Sequence, residues 1–189
     1  MRIIAGVAKG RTLGEVAEVT RPTSDRAREG LFSSLTSEFG DFLGLHVLDM
    51  FAGSGAIGLE ALSRGAAIVD VVEQDSCAQK TIENNFELVK KNQPVGKFHL
   101  YSMSVQSFVS QFPKEKYHIV YIDPPFDFTE NEIKEVLAKL HIGAFLNDGA
   151  LIAIERTARS FQFSWPNGFA PARRRNYGAA SIFFGNYLP

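Results

Sequence analysis

The sequence is poor in the groups that most readily betray a chemistry. Its 189 residues contain one cysteine, Cys77, so no internal disulfide framework can form. The four histidines, His46, His99, His118 and His141, stand at no spacing that would make a metal site with that cysteine or with one another. These absences suit a reducing cytoplasm and argue against a zinc enzyme. An excess of one charge is missing too. Twenty Lys and Arg against 21 Asp and Glu leave a net charge of −1, so a nucleic-acid partner must be met by local clusters and not by a global field. No apolar run approaches the length of a membrane span, and the opening "MRIIAGVAKGRTL" lacks the apolar core of a signal peptide. The expectation is a soluble cytoplasmic protein without a metal.

What is present points to one α/β domain over residues 1–189. At 45% hydrophobic the chain carries enough apolar material for a full core. Short β-rich runs, "HVLDMF", "AIVDVVEQD", "KFHLYSM", "YHIVYID" and "GALIAIE", alternate with helical segments, the pattern of a parallel sheet covered on both faces. Ser76 with Gln79 and Thr129 with Glu132 have capping-box spacing, and Gly65 stops the helix of "AIGLEAL". After Glu155 two β-rich runs, "FQFSW" and "ASIFFGNYL", flank a turn-rich basic segment, which predicts a closing antiparallel hairpin. Residues 1–22, glycine-containing and mildly basic, read as an appended arm or hairpin.

The first chemical signal is "VLDMFAGSGAIGLEAL". A strand ends near Asp49, a turn follows in which Gly53, Gly55 and Gly58 satisfy G-x-G-x-x-G, and a helix begins. Such a turn lets backbone approach a ligand and aims free amides at it from the carboxyl end of a strand. Glu73, twenty residues after Gly53 and closing the next strand, could hold ribose hydroxyls of either a nicotinamide dinucleotide or S-adenosylmethionine (SAM). Asp49 separates the two. A carboxylate ahead of the turn would repel a pyrophosphate, while it would attract the amino group and sulfonium side of SAM.

The second signal is "YHIVYIDPPF", a strand that stops on an acid and two prolines. Pro124 forces Asp123 into an extended conformation, and neither Pro124 nor Pro125 has an N–H, so the chain leaves the sheet rigidly with its carbonyls unpaired. The Asp123 carboxylate and the Pro124 carbonyl could accept both hydrogens of an exocyclic base amine, while Phe126, with Phe128 near it, offers a face on which the base stacks. Such an amine is a weak nucleophile, its lone pair delocalised into the ring. Two acceptors that orient it toward a methyl sulfonium would lower the barrier by positioning and charge stabilisation.

Together "RIIAG…KGR", "RPTSDRAREGLF", "LDMFAGSGAIGLEALSRGA", "VEQD", "DPPF" and "YGAASIFF", in order over nearly the whole chain, resemble the bacterial RsmD family, which methylates guanine N2 in 16S ribosomal RNA. The resemblance implies a Rossmann-like class I SAM-dependent methyltransferase fold: a mostly parallel seven-stranded sheet, a C-terminal antiparallel hairpin, helices on both faces and a short N-terminal β-hairpin. It implies SAM contacts at Asp49, Phe51, Ala52, Gly53, Ser54 and Gly55, at Glu73 and Gln74 beside the ribose, and at Thr23 near the methionine end. It also implies catalysis by Asp123, Pro124, Pro125 and Phe126, and a substrate presented on the assembled small subunit. One position departs from the family pattern. Where an Asp or Asn would meet the adenine amino group stand Ser104 and Val105, and Ser104 could equally be the N-cap of the helix that follows.

Phosphate contacts need clustered cations. Arg2, Lys9 and Arg11 lie in the arm, Arg21, Arg26 and Arg28 in or before the first helix, and Arg173, Arg174 and Arg175 before the last strand. A charge run can also be a plain solvated face. Two rival activities compete with a monomeric ribosomal-RNA methyltransferase. A DNA adenine or cytosine amino-methyltransferase would use the same "DPPF" chemistry, but no sizeable segment is left for a target-recognition domain. A nicotinamide-dependent oxidoreductase must contend with Asp49 and with the want of a catalytic Tyr/Lys or His pair. A non-catalytic RNA-binding module would leave "DPPF" unexplained.

Overall fold

The computed structural model describes residues 1–16, 25–91, 94–157 and 163–189. Five strands run parallel: β1 (His46–Met50), β2 (Ile68–Glu73), β3 (Lys97–Ser102), β4 (Tyr117–Ile122) and β5 (Leu146–Thr157). Then β7 (Ala180–Tyr187) runs antiparallel between β5 and the edge strand β6 (Phe169–Tyr177), giving the order β3-β2-β1-β4-β5-β7-β6. This is the seven-stranded sheet that the resemblance implied.

Alternation along the strands feeds two cores, as the two-residue period of a sheet requires. Val47, Val69, Val71, Ile119 and Leu151 face a cluster with α1 (Asp25–Phe39), α2 (Ala56–Ser63) and α3 (Ser76–Lys90). On the other face Leu48, Met50, Val120, Ile122 and Ile152 pack with α4 (Val105–Phe108) and α5 (Glu130–Ile142). The helix that follows β1 thus lies on one face and the helix that follows β4 on the other, although β1 and β4 are neighbours. The chain parts there, and a crevice opens at the carboxyl ends of these two strands.

The local signals fared unevenly. Thr129 and Glu132 form the predicted capping box, and Gly65 (φ 107) follows the end of α2. The cap of α3 is one residue earlier than the spacing suggested: Asp75 accepts from the amides of Cys77 and Ala78, while the Gln79 side chain donates to the Glu73 carbonyl. A carboxylate at the N-cap is favoured over a hydroxyl by the helix dipole. The larger correction is at the C-terminus. The basic segment is not a turn but β6 itself, and residues 163–165 are not a strand. Arginines suit this exposed edge because their stems and planes cover rings of the neighbouring strand: Arg173 lies 4.6 Å from the centroid of Phe184 and Arg174 4.7 Å from that of Phe183.

The first residues form the expected small hairpin, with an antiparallel bridge between Arg2 and Thr12. It is fixed on α2 and α3 by buried polar groups. Glu60, fully buried, accepts from the amides of Ile4 (2.7 Å) and Ala5 (3.0 Å); the Ser63 hydroxyl accepts from the Ala8 amide and donates to the Ala5 carbonyl. Arg11 turns inward and donates to the carbonyls of Leu88, Val89 and Lys91, the orphan acceptors at the end of α3.

Candidate active site

The turn after β1 is built by three glycines with two separate duties. Gly53 (φ 55) and Gly55 (φ 74) occupy the left-handed region, which side chains disfavour. Gly58 sits inside α2 where a Cβ would come within 2.7 Å of a Val71 methyl and 3.0 Å of one on Val69, so its absence lets the helix lie close on the sheet. Phe51 takes φ 60 without being glycine, a strained conformation held by its surroundings. The turn is less open than expected. The Gly53 amide donates to Glu73 Oε2 (2.8 Å), the Gly55 amide to the Ala52 carbonyl (2.7 Å) and the Gly58 amide to Asp49 Oδ2 (2.9 Å). These amides serve to preorganise the loop.

Asp49 is buried at 1% exposure, and that desolvation pushes its carboxyl up to about 8, opposed by the Gly58 amide and reinforced by the charge of Glu73. A buried acid so far from its ordinary range is poised for a cationic partner. Glu73 Oε1 also accepts from the Asp75 amide, so the proposed ribose ligand is at the same time the brace of the glycine turn.

Beyond β4, Asp123 to Phe126 leave the sheet as the prolines dictate. Phe126 is 72% exposed, whereas Phe128 is 7% exposed and packs edge-on against Phe51 at 5.0 Å. Of the two rings, Phe126 is therefore the one that lies open at the cleft, and Phe128 is packed away from it. A cleft of about 350 Å³ gathers the predicted residues at the strand ends: Asp49 and Phe51 to Ser54 from the first turn, Glu73 and Gln74 from the second strand, Val105, and Asp123 to Phe126. Its size is that of a small-molecule site. Gly55 lies outside this lining, as does Ser104. Ser104 is the N-cap of α4, accepting from the Ser107 amide at 3.2 Å, which favours the capping role over adenine recognition. Thr23 and Arg21 fall outside the described residues.

The predicted RNA cations scatter. Arg2, Lys9 and Arg26 are exposed, as are Arg174 and Arg175. Arg11 is engaged at the end of α3, Arg173 pairs with Glu38 at 2.9 Å, and Arg28 is fully buried, donating to Asp25 and to the Arg2 carbonyl. Burial holds the Arg28 guanidinium below its ordinary range, and it is no surface contact.

Several residues of the site left little trace in the sequence. Glu15 and Val16 of the arm line the cleft. Asn85 from α3, 1% exposed, donates to the carbonyls of Ser54 and Gly14 and accepts from the Gly14 amide, tying the arm to the glycine turn. Tyr121, also in the lining, donates to Glu155 at 2.5 Å; burial raises the Glu155 carboxyl while this hydrogen bond opposes the rise. Strand-end position after a β-rich run was the one available signal for Tyr121 and Glu155. Among the described residues no group of three or more His, Cys, Asp or Glu is placed to hold a metal ion, and no helix is long and apolar enough to cross a membrane.

Comparison with known proteins agrees with this geometry. Residues 1–186 match the family described as conserved hypothetical protein 95. The chain is 36% identical over 156 residues to the ribosomal RNA small subunit methyltransferase D of Escherichia coli strain K12, covering 82% of this chain and 74% of that one. The Haemophilus influenzae protein of the same name is 32% identical, with 96% and 91% covered. Among solved structures, yhhF of Escherichia coli, a candidate methyltransferase, superposes with a TM-score of 0.84 at 31% identity, covering 100% of this chain and 98% of that one.

Proposed function

The chain belongs to the family described as conserved hypothetical protein 95, and on that premise we propose that it is a SAM-dependent methyltransferase of small-subunit ribosomal RNA whose acceptor is the exocyclic N2 amine of a guanine in the 16S chain, as the RsmD resemblance implied. One observation carries the reading: the Asp123–Phe126 loop opens on the same cleft as Asp49, Glu73 and the glycine turn.

The residues present fit the cofactor. Asp49 would face the cationic amino-acid end, where a positive charge offsets the cost of ionising a buried carboxyl, and Glu73 the ribose. SAM, when bound, supplies an electrophilic methyl group. The chain's own work is to prepare the amine. Asp123 and the Pro124 carbonyl accept its two hydrogens and so aim the nitrogen lone pair into the cleft, and Asp123 offers a base for the proton that the amine must give up. Phe126 stacks the target guanine, which must leave its helix to reach the strand ends. Exposed Arg2, Lys9 and Arg26 hold phosphates, and the enzyme acts as a monomer on the assembled particle.

The test is methyl transfer from radiolabelled SAM to small subunits lacking their own modifications, beside naked 16S RNA and DNA, followed by nucleoside analysis. N2-methylguanosine from the particle is expected. Label on DNA alone would move the reading to a DNA amino-methyltransferase, and a different methylated nucleoside from the particle would overturn the acceptor.

A further inference from the structure

Arg156 belongs to none of the groups so far given a part in the reaction. It lies near the end of β5, the strand beside β4, where Ile154 pairs with Ile122. Continuing that register sets Arg156 alongside Pro124, just past the last pair of the ladder. From there Nη1 donates to the Pro125 carbonyl at 3.0 Å, and Nη2 donates to the Phe128 carbonyl at 2.7 Å and to that of Phe126 at 3.5 Å. One planar cation thus collects three carbonyls of the loop that carries Asp123. The prolines have no N–H with which to continue the ladder, so the loop depends on such a donor for its shape. Burial holds the guanidinium below its ordinary range, with Asp123 and Asp127 opposing that shift.

The arrangement fixes the loop that Asp123 and Pro124 begin, with the carbonyls of Pro125, Phe126 and Phe128 all turned to Arg156. It also couples two halves of the site, because Phe128, held through its carbonyl by Arg156, packs on Phe51 of the first turn. We propose that Arg156 is a positioning residue: by gathering these three carbonyls it fixes the amine acceptors against the cofactor turn, and so governs the rate of methyl transfer and not the binding of the cofactor. The proposal rests on the methyltransferase reading above. A lysine would be a poor substitute, since one ammonium on a flexible stem cannot reproduce a fork that holds separate carbonyls.

The experiment compares wild type, R156A and R156K in single-turnover transfer to unmodified small subunits, with S-adenosylhomocysteine affinity by calorimetry and Tm measured on each protein. Misplacement of reacting groups by an ångström costs about 10²-fold in rate. R156A is expected to lose about that much, and R156K to recover little of it, with S-adenosylhomocysteine affinity unchanged within about twofold. Free guanidinium at non-denaturing concentration should raise the rate of R156A and not that of wild type, a response that a merely structural role would not give. An R156A enzyme as fast as wild type overturns the proposal. So does a parallel fall of rate, affinity and Tm that guanidinium does not relieve. A wild-type protein inactive on every RNA would overturn the methyltransferase reading and this proposal with it, whereas an active wild type with an equally active R156A overturns this proposal alone.

Discussion

Replacing Asp49 by Asn tests the electrostatic logic of the cleft most directly. In the unfolded chain this carboxyl ionises near 3.8; in the fold burial raises it to about 8. The folded protein therefore binds one proton more than the unfolded chain across that window, and stability falls as pH rises through it, levelling off above about 8. At about 1.36 kcal/mol per unit the full cost is on the order of 5 kcal/mol, of which structural relaxation will reveal a few kcal/mol. Asn keeps an oxygen for the Gly58 amide and has no charge to desolvate. The ligand-free D49N protein should thus be more stable than wild type at pH 8.5 by a few kcal/mol and should lose the advantage toward pH 4. Urea unfolding at a series of pH values reads this through the midpoint, provided the slope is unchanged. Cofactor affinity should move the opposite way. If Asp49 must be ionised to meet an ammonium, wild-type affinity for S-adenosylhomocysteine falls about tenfold per pH unit below about 8, and D49N binds weakly at every pH. Identical pH profiles of stability in the two proteins would refute the reasoning, whatever happens to binding.

Three other substitutions probe separate links. Asp123→Ala should lower the single-turnover transfer rate by about 10² to 10³-fold, the loss typical of one preorganised partner of the reacting group, with calorimetric S-adenosylhomocysteine affinity intact; unaltered turnover would remove Asp123 from the chemistry. Phe126→Ala, at a 72% exposed ring, should leave Tm unchanged and raise the KM for RNA by the ~1–3 kcal/mol of a lost base stack. Gly58→Ala places a methyl within 2.7 Å of Val71, and despite the ~1 kcal/mol that Ala gains over Gly in a helix, overpacking of about 1–3 kcal/mol should win; an increase in Tm would show that α2 can simply step away from the sheet.

What could be read from the sequence was whatever local chemistry decides. The central parallel strands β1, β2 and β4 were legible because they are buried and mostly apolar, and the turn and "DPPF" were legible because glycine and proline constrain backbone wherever they occur. The basic run was misread because Arg173 and Arg174 behave in β6 as covers for Phe184 and Phe183, a role that depends on the neighbouring strand and leaves no periodicity of its own. Asn85 and Arg156 were invisible for a like reason. Their partners lie 71 and 28 to 31 residues away, and only the fold brings them together. The glycine motif was located correctly, yet its amides were assigned to the ligand when Asp49 and Glu73 already hold two of them, since spacing cannot say which way an N–H points.

The hairpin of the first residues has a further consequence, in time. Its amides meet Glu60 across 55 and 56 residues, its Arg11 meets the end of α3 across as many as 80, and Glu15 and Val16 become one wall of the cleft. The hairpin is made before the elements it packs on and is among the last segments to find its place, because contacts of such separation must await the synthesis of α2 and α3. A nascent chain stalled at residue 91 could already seat the hairpin on α2 and α3, yet its cleft would lack the wall from Asp123 to Phe126, so the oldest and the youngest walls of the site are assembled at separate times.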